Sequence, residues 1–223
     1  APPTQPRRQQ ARPATALLRD PGLQVVAGRM VNLLEASLVT EGQLLDAMRA
    51  AMASKAFQWF AGRSIFSVVV YGDKSLRLHG PLEALNPLAA AMAALAERSL
   101  AHGEELALIQ LLVNRYKDGR DEVKPHRHRC RQICLALGAE RELEVDDEVL
   151  LMRNGDCMPL SGERHGVPAA RGVARPRVSV CLFYGSAVEY ASASISVNAT
   201  DSWRTGGATM WWRHPNEQWA GGL

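Results

Sequence analysis

The sequence predicts an α+β fold, a double-stranded β-helix (jelly roll) with N-terminal helices packed on one of its sheets. Three observations predict it. Two stretches of helical periodicity occupy the part before residue 104; six short strand-like runs separated by polar turns occupy residues 104–185; and no internal repeat relates these runs, which sets a solenoid aside.

From residue 20 to about 62 the pattern is helical, with Thr40 and Gln43 forming a capping box and Leu44, Leu45, Met48 and Met52 on one face. Residues 64–71 (SIFSVVVY) are β-branched and apolar and read as a strand, with Gly72-Asp73 opening the turn after it. A second helix is expected to start at Asn86-Pro87, a cap followed by proline, to bury Leu88, Ala91, Met92 and Leu95, and to end before Gly103. Strands are then expected near 106–116, 122–128, 131–138, 142–151, 156–160 and 176–184.

Three regions follow from composition. Residues 1–20 form an Arg/Pro-rich arm, residues 21–185 the folded domain, and residues 186–223 a C-terminal extension holding Trp203, Trp211, Trp212 and Trp219 among Gly, Arg and Asn. Four of the five tryptophans lie in that extension, which reads either as packing onto the domain or as an anchor for a protein partner. The arm carries Arg7, Arg8, Arg12 and Arg19 before its first acid, Asp20, in the manner of an organelle transit peptide. The expected location is intracellular, with a plastid or mitochondrion as the organelle.

At 223 residues, 47% hydrophobic and 22% charged, the chain has the composition of one globular domain. No apolar run reaches the length of about 18 residues that a membrane span needs. A net charge of +3 does not by itself call for a nucleic-acid partner, and the basic residues of the loop 115–131 are interleaved with Asp118, Asp121 and Glu122. Only Lys55, Lys74, Lys117 and Lys124 are lysines; the other cations are arginines, which hold anions with a planar fork. Cys130, Cys134, Cys157 and Cys181 have neither zinc-knuckle spacing nor the density of a disulfide scaffold, and read as reduced thiols.

The chemistry concentrates in histidine. His126 and His128 lie two apart in a segment read as extended, so both rings face one side. His165 follows about forty residues later and, in a jelly roll, folds back opposite them. Three neutral imidazoles would then occupy one face of a metal ion and leave positions open for substrate, oxygen or water.

Around these histidines the order of motifs resembles the AlkB family of iron- and 2-oxoglutarate-dependent oxygenases. That family runs Asn-x-Tyr, an acidic turn, His-x-Asp, a Ser-Leu-Gly strand, Gly-Asp, a distal His and Arg-x-Asn-x-Thr-x-Arg. Here stand Asn114-Arg115-Tyr116, the turn 117–121, His126-Arg127-His128, Leu135-Ala136-Leu137-Gly138, Gly155-Asp156, His165 and the run from Arg177 to Phe183. Upstream, Tyr71-Gly72-Asp73 is similar to a motif of family members that repair nucleic acids. The resemblance implies Fe(II) held by His126, His128 and His165, and 2-oxoglutarate held by Arg177 at its far carboxylate with Asn114 and Tyr116 adding hydrogen bonds. Its implied substrates are alkylated nucleobases or protein side chains.

Two departures stand out. The family's iron-ligating aspartate is His128, which removes one negative charge from the metal's ligands. Its second arginine is Phe183, and the Asn and Thr before it are Ser179 and Cys181. Three readings follow: an AlkB-type oxygenase, a weakened or inactive relative serving as a structural or interaction subunit of a larger assembly, and a three-histidine zinc site with a bound water.

Overall fold

A computed structural model of the protein describes residues 30–70, 76–128 and 130–186. The Arg/Pro-rich arm, Tyr71-Gly72-Asp73 and the Trp-rich extension lie outside the described residues.

The capping box forms as read. The Thr40 hydroxyl accepts from the Gln43 amide at 3.2 Å, the Gln43 side chain accepts from the Thr40 amide at 2.8 Å, and helix α1 runs Glu41–Ala53. The described residues flanking it are not helical. Val31–Asn32 form a short strand, β1; the Asn32 side-chain oxygen accepts from the amides of Leu34 and Glu35, and Leu33 is buried with its amide donating to the Gly155 carbonyl. Apolar residues there answer to tertiary burial rather than to a helix face. At the other end Gln58–Phe60 (β2) and Arg63–Val69 (β3) form a hairpin across Ala61-Gly62.

Helix α2 spans Asn86–Ser99 and buries Leu88, Met92 and Leu95, with Ala91 partly buried. A single 3-10 stretch, Gly80–Leu85, precedes it, so Leu85 occupies the cap position. The Asn86 side chain instead bridges both backbone groups of Leu78, holding the incoming chain against the helix.

The remaining strands are β4 (Leu106–Tyr116), β5 (Val123–His126), β6 (Arg131–Gly138), β7 (Arg141–Val145), β8 (Glu148–Met152), β9 (Asp156–Leu160), β10 (His165–Val167) and β11 (Arg177–Ser186). The single strand expected over 142–151 is thus a hairpin, reversed at Asp146, whose φ is 49°. The larger sheet has the order β1-β9-β6-β11-β4-β3-β2 and the smaller β5-β10-β7-β8, with antiparallel pairing throughout. Two facing antiparallel sheets with both helices on the outer side of the larger one make the jelly roll that the pattern predicts.

Strand alternation divides the interior into two cores. Val178, Val180 and Leu182 of β11, with Leu111 and Val113 of β4 and Ile133, Leu135 and Leu137 of β6, pack against Leu44, Leu88 and Met92 of the helices. The alternate residues, Arg177, Ser179, Cys181 and Phe183, face the smaller sheet together with Leu112, Asn114, Tyr116, Gln132 and Cys134. The first core is apolar but for the Tyr184 hydroxyl. On the side of the second, Arg63, Asn114, Gln132, His165, Arg177 and Ser179 are buried.

Candidate metal centre

His165 is the first residue of β10 and pairs directly with His126, the last residue of β5. That register requires a close approach of backbones. A Cβ on Gly166 would lie 2.8 Å from the Val123 carbonyl oxygen and 2.9 Å from the Pro125 nitrogen, so only glycine lets β10 sit this near β5. Gly166→Ala should therefore push His165 away from His126. We expect a loss of about 2 kcal/mol in stability and at least a tenfold drop in divalent-metal affinity, read by chemical denaturation and by calorimetry.

His128 falls just beyond β5 rather than on it, contrary to the extended reading of 122–128, yet its ring still joins the others. The His126 and His128 Nε2 atoms are 2.9 Å apart, and ligand nitrogens of all three rings lie within 4.8 Å of one another. Two nitrogens bound at about 2.1 Å and at right angles on one ion would be about 3 Å apart, so this pair already has the spacing of neighbouring ligands.

The tautomers are set by the backbone. His126 Nδ1 lies 2.9 Å from the Lys124 carbonyl and His165 Nδ1 lies 2.9 Å from the Glu163 carbonyl, so each Nδ1–H donates outward and leaves its Nε2 lone pair for the centre. Burial, reinforced by the neighbouring rings, lowers His126 to about 4 and His128 to about 3, and burial lowers His165 as well. The rings are therefore neutral at physiological pH, the form that binds metal. The sign for stability follows. Unfolded histidine takes up its proton near 6.5, whereas the folded rings do not, so acid favours the unfolded chain. The metal-free protein should lose melting temperature steadily from about pH 6.5 toward pH 4, and His126→Asn with His128→Asn should flatten that profile.

Phe183 packs edge-on against His128, ring centroids 5.1 Å apart at 77°. The two departures from the AlkB-like pattern thus touch each other. An arginine at 183 would set a cation against an imidazole that must remain neutral; phenylalanine instead orients the ring. Gln132, buried on β6, places its Nε2 2.7 Å from His165 Nε2, a contact that an ion at this position would displace.

At the other end of the pocket stand Tyr116 and two arginines. Arg177 pairs across the sheet with Tyr116, and Ser179 with Asn114, so all four share the pocket face. Arg177 is only 1% exposed, and its contacts are weak: Ser179 Oγ at 3.4 Å, the Arg141 carbonyl at 3.3 Å and Met152 Sδ at 3.6 Å. No Asp or Glu lines the pocket among the described residues. Burial lowers the Arg177 pKa and raises Tyr116 to about 12, leaving a neutral phenol beside a guanidinium with no carboxylate partner among the described residues. Asn114 offers its amide differently from expectation, since its Oδ1 already accepts from Arg63 Nε at 2.9 Å. Arg63, Gln132 and the touching thiols of Cys134 and Cys181 (Sγ–Sγ 3.1 Å) also line the pocket and were not singled out from sequence. The cysteines are free thiols, as read.

Other conspicuous groups have structural work. Arg141 is buried but donates to the carbonyls of Asp118, Asp121 and Pro168, tying the acidic turn to the loop after β10. Asp156 accepts from Asn32 and from the Arg153 amide.

No protein-family model and no curated protein matches the sequence. Solved structures do resemble it. A prolyl hydroxylase from Trichoplax adhaerens, in complex with a hypoxia inducible factor oxygen degradation domain peptide, is 14% identical with a TM-score of 0.54, over 80% of this chain and 91% of that one. An oxidoreductase of the 2OG-Fe(II) oxygenase family from Burkholderia pseudomallei is 16% identical with a TM-score of 0.50, over 77% of this chain and 88% of that one. The chain has the fold of these oxygenases. Among the described residues no helix is long and apolar enough to cross a membrane.

Proposed function

We propose that the protein is an Fe(II)- and 2-oxoglutarate-dependent oxygenase of AlkB type in which His126, His128 and His165 hold the metal. The observation that carries this reading is the pairing, in one pocket, of three convergent neutral imidazoles with a buried guanidinium that has no carboxylate partner among the described residues. A buried cation left this way is costly unless a ligand neutralises it. Arg177 would take the far carboxylate of the oxo acid, and the Tyr116 phenol, kept protonated, would donate a hydrogen bond to it. The Asn114 amide nitrogen remains as a donor toward the ligand. When bound, iron and 2-oxoglutarate supply oxidation of a C–H bond by dioxygen, with succinate and carbon dioxide as co-products.

The substrate class that the AlkB-like pattern suggests is an alkylated nucleobase or a protein side chain, hydroxylated or demethylated. Incubation with Fe(II), 2-oxoglutarate and oxygen should release succinate slowly without substrate and faster with the right one. Absence of 2-oxoglutarate binding to the metal-loaded protein would contradict the reading. A second reading, a weakened relative acting as an interaction subunit, is favoured by His128 and Phe183; its partners would dock through the Trp-rich extension. Removal of residues 187–223 should then abolish co-purification of a partner while leaving metal binding intact.

A further inference from the structure

Two thiols line the pocket apart from its metal centre and its arginine end. Cys134 of β6 and Cys181 of β11 are direct cross-strand partners, and both belong to the pocket face. Their side chains meet, with the sulfurs 3.1 Å apart. Register sets the pair midway along the pocket floor. On β11, Cys181 lies between Phe183, which touches His128, and Ser179, which touches Arg177. On β6, Cys134 lies two residues from Gln132, which touches His165.

That arrangement suits a covalent bond. Directly opposed residues of an antiparallel pair have Cα atoms about 4.5–5.5 Å apart, inside the range of about 4.4–6.8 Å that a disulfide bridges. From 3.1 Å the sulfurs close by only about 1 Å to reach a bond length of about 2.05 Å. The other two cysteines are placed differently: Cys157 packs in the core under the helices, and Cys130 does not line the pocket.

The contacts are also directional. The Cys134 thiol donates to Cys181 Sγ, and Asn114 Nδ2 donates to the same sulfur at 3.9 Å. The bond to Cys181, with burial, pushes the Cys134 thiol well above its ordinary range, so Cys134 keeps its proton as the donor. Cys181, which accepts from both neighbours, is the nucleophilic sulfur. Access then selects the reagent. Cys134 and Cys181 are 8% and 6% exposed, on a floor between two sheets about 10 Å apart. Thiol–disulfide exchange would require a whole peptide disulfide to present its sulfurs to Cys181 inside that gap, whereas a small peroxide needs only its two oxygens there.

We infer that Cys134 and Cys181 form an oxidation site for small peroxides, closing to a disulfide across the pocket floor. Cys181 Sγ attacks one peroxide oxygen; the S–O bond forms, the O–O bond breaks, and the leaving hydroxide takes up the Cys181 proton to depart as water. Cys134 Sγ then attacks the sulfenic sulfur of Cys181; the S–S bond forms, the S–O bond breaks, and a second water carries off the Cys134 proton. Hydrogen peroxide gains the two electrons that the thiols lose. The inference depends on the thiols alone and not on what the histidines bind.

Reduced, metal-free full chain is treated with hydrogen peroxide or with oxidised glutathione at equal concentration, quenched by alkylation in denaturant and mapped by peptide mass. Peroxide should link Cys134 to Cys181 and lower the count of alkylated thiols from four to two, at least about ten times faster than oxidised glutathione does. In Cys134→Ser the sulfenic-acid probe dimedone should label Cys181; in Cys181→Ser it should leave Cys134 unlabelled. Absence of the link between these two residues, or a link that both oxidants form equally fast, would overturn the site. Equal labelling of the remaining sulfur in the two variants would overturn the assignment of Cys181 as nucleophile. Should a serine variant fail to fold, the alanine variant takes its place, and the wild-type mapping decides the site without either.

Discussion

Arg177→Met is expected to weaken 2-oxoglutarate binding by about 3 kcal/mol, roughly 150-fold, while leaving the melting temperature unchanged or raised. The two halves of this expectation have one cause. A structural arginine in a core is normally matched by carboxylates or by several short hydrogen bonds, and its removal costs several kcal/mol. Arg177 has three contacts of 3.3–3.6 Å, all to neutral acceptors, and is almost wholly buried. Its desolvation is uncompensated in the ligand-free fold, and methionine of similar length removes that penalty while keeping the packing. A variant that loses both ligand affinity and several degrees of stability would mark Arg177 as a scaffold residue instead. Calorimetric titration and thermal unfolding on one preparation separate the two outcomes.

His165→Ala should lower divalent-metal affinity by more than about a hundredfold, the upper end of what losing a mere supporting partner of a ligand costs. His165 is the most buried of the three rings, and its partner Glu163 carbonyl fixes the lone pair toward His126 and His128. Without it the remaining pair has two donors and no third, and the buried Gln132 amide loses the His165 ring that it contacts. A modest stability loss of about 1–3 kcal/mol accompanies the change, from that orphaned amide. His102→Ala, an exposed histidine outside the pocket, serves as the control and should leave metal binding as it is. Cobalt absorption spectra of the three proteins give the comparison directly.

The legibility of this site in the sequence was uneven, for physical reasons. His126, Asn114, Tyr116, His165 and Arg177 are legible because short motifs carry them in an order that resembles the AlkB family; Asn114, Tyr116 and Arg177 also lie on long strands. Arg63 is not: it lies 51 residues from the asparagine it bonds, and only the register of β3 on β4 brings them together. Gln132 is an ordinary polar residue on a strand until β10 folds across it. The strand of His165 is three residues long, too short for an alternation to show. The β7–β8 hairpin reads as one strand in the sequence because its turn is built of Asp146 and Asp147, without the glycine or asparagine that usually marks a reversal. Residues 30–40 look helical in the sequence because their apolar residues answer to burial against β9 and the helices, a tertiary demand that mimics a helical stripe.

The central claim is that three imidazoles from β5, β10 and the segment just after β5 close on a single ion. X-ray absorption of the protein loaded anaerobically with one equivalent of Fe(II) tests it most directly. The geometry calls for three imidazole nitrogens at about 2.1 Å, reduced to two in His128→Ala. Failure to retain one equivalent of metal, or a spectrum with fewer than three imidazoles that His128→Ala leaves unaltered, would contradict it.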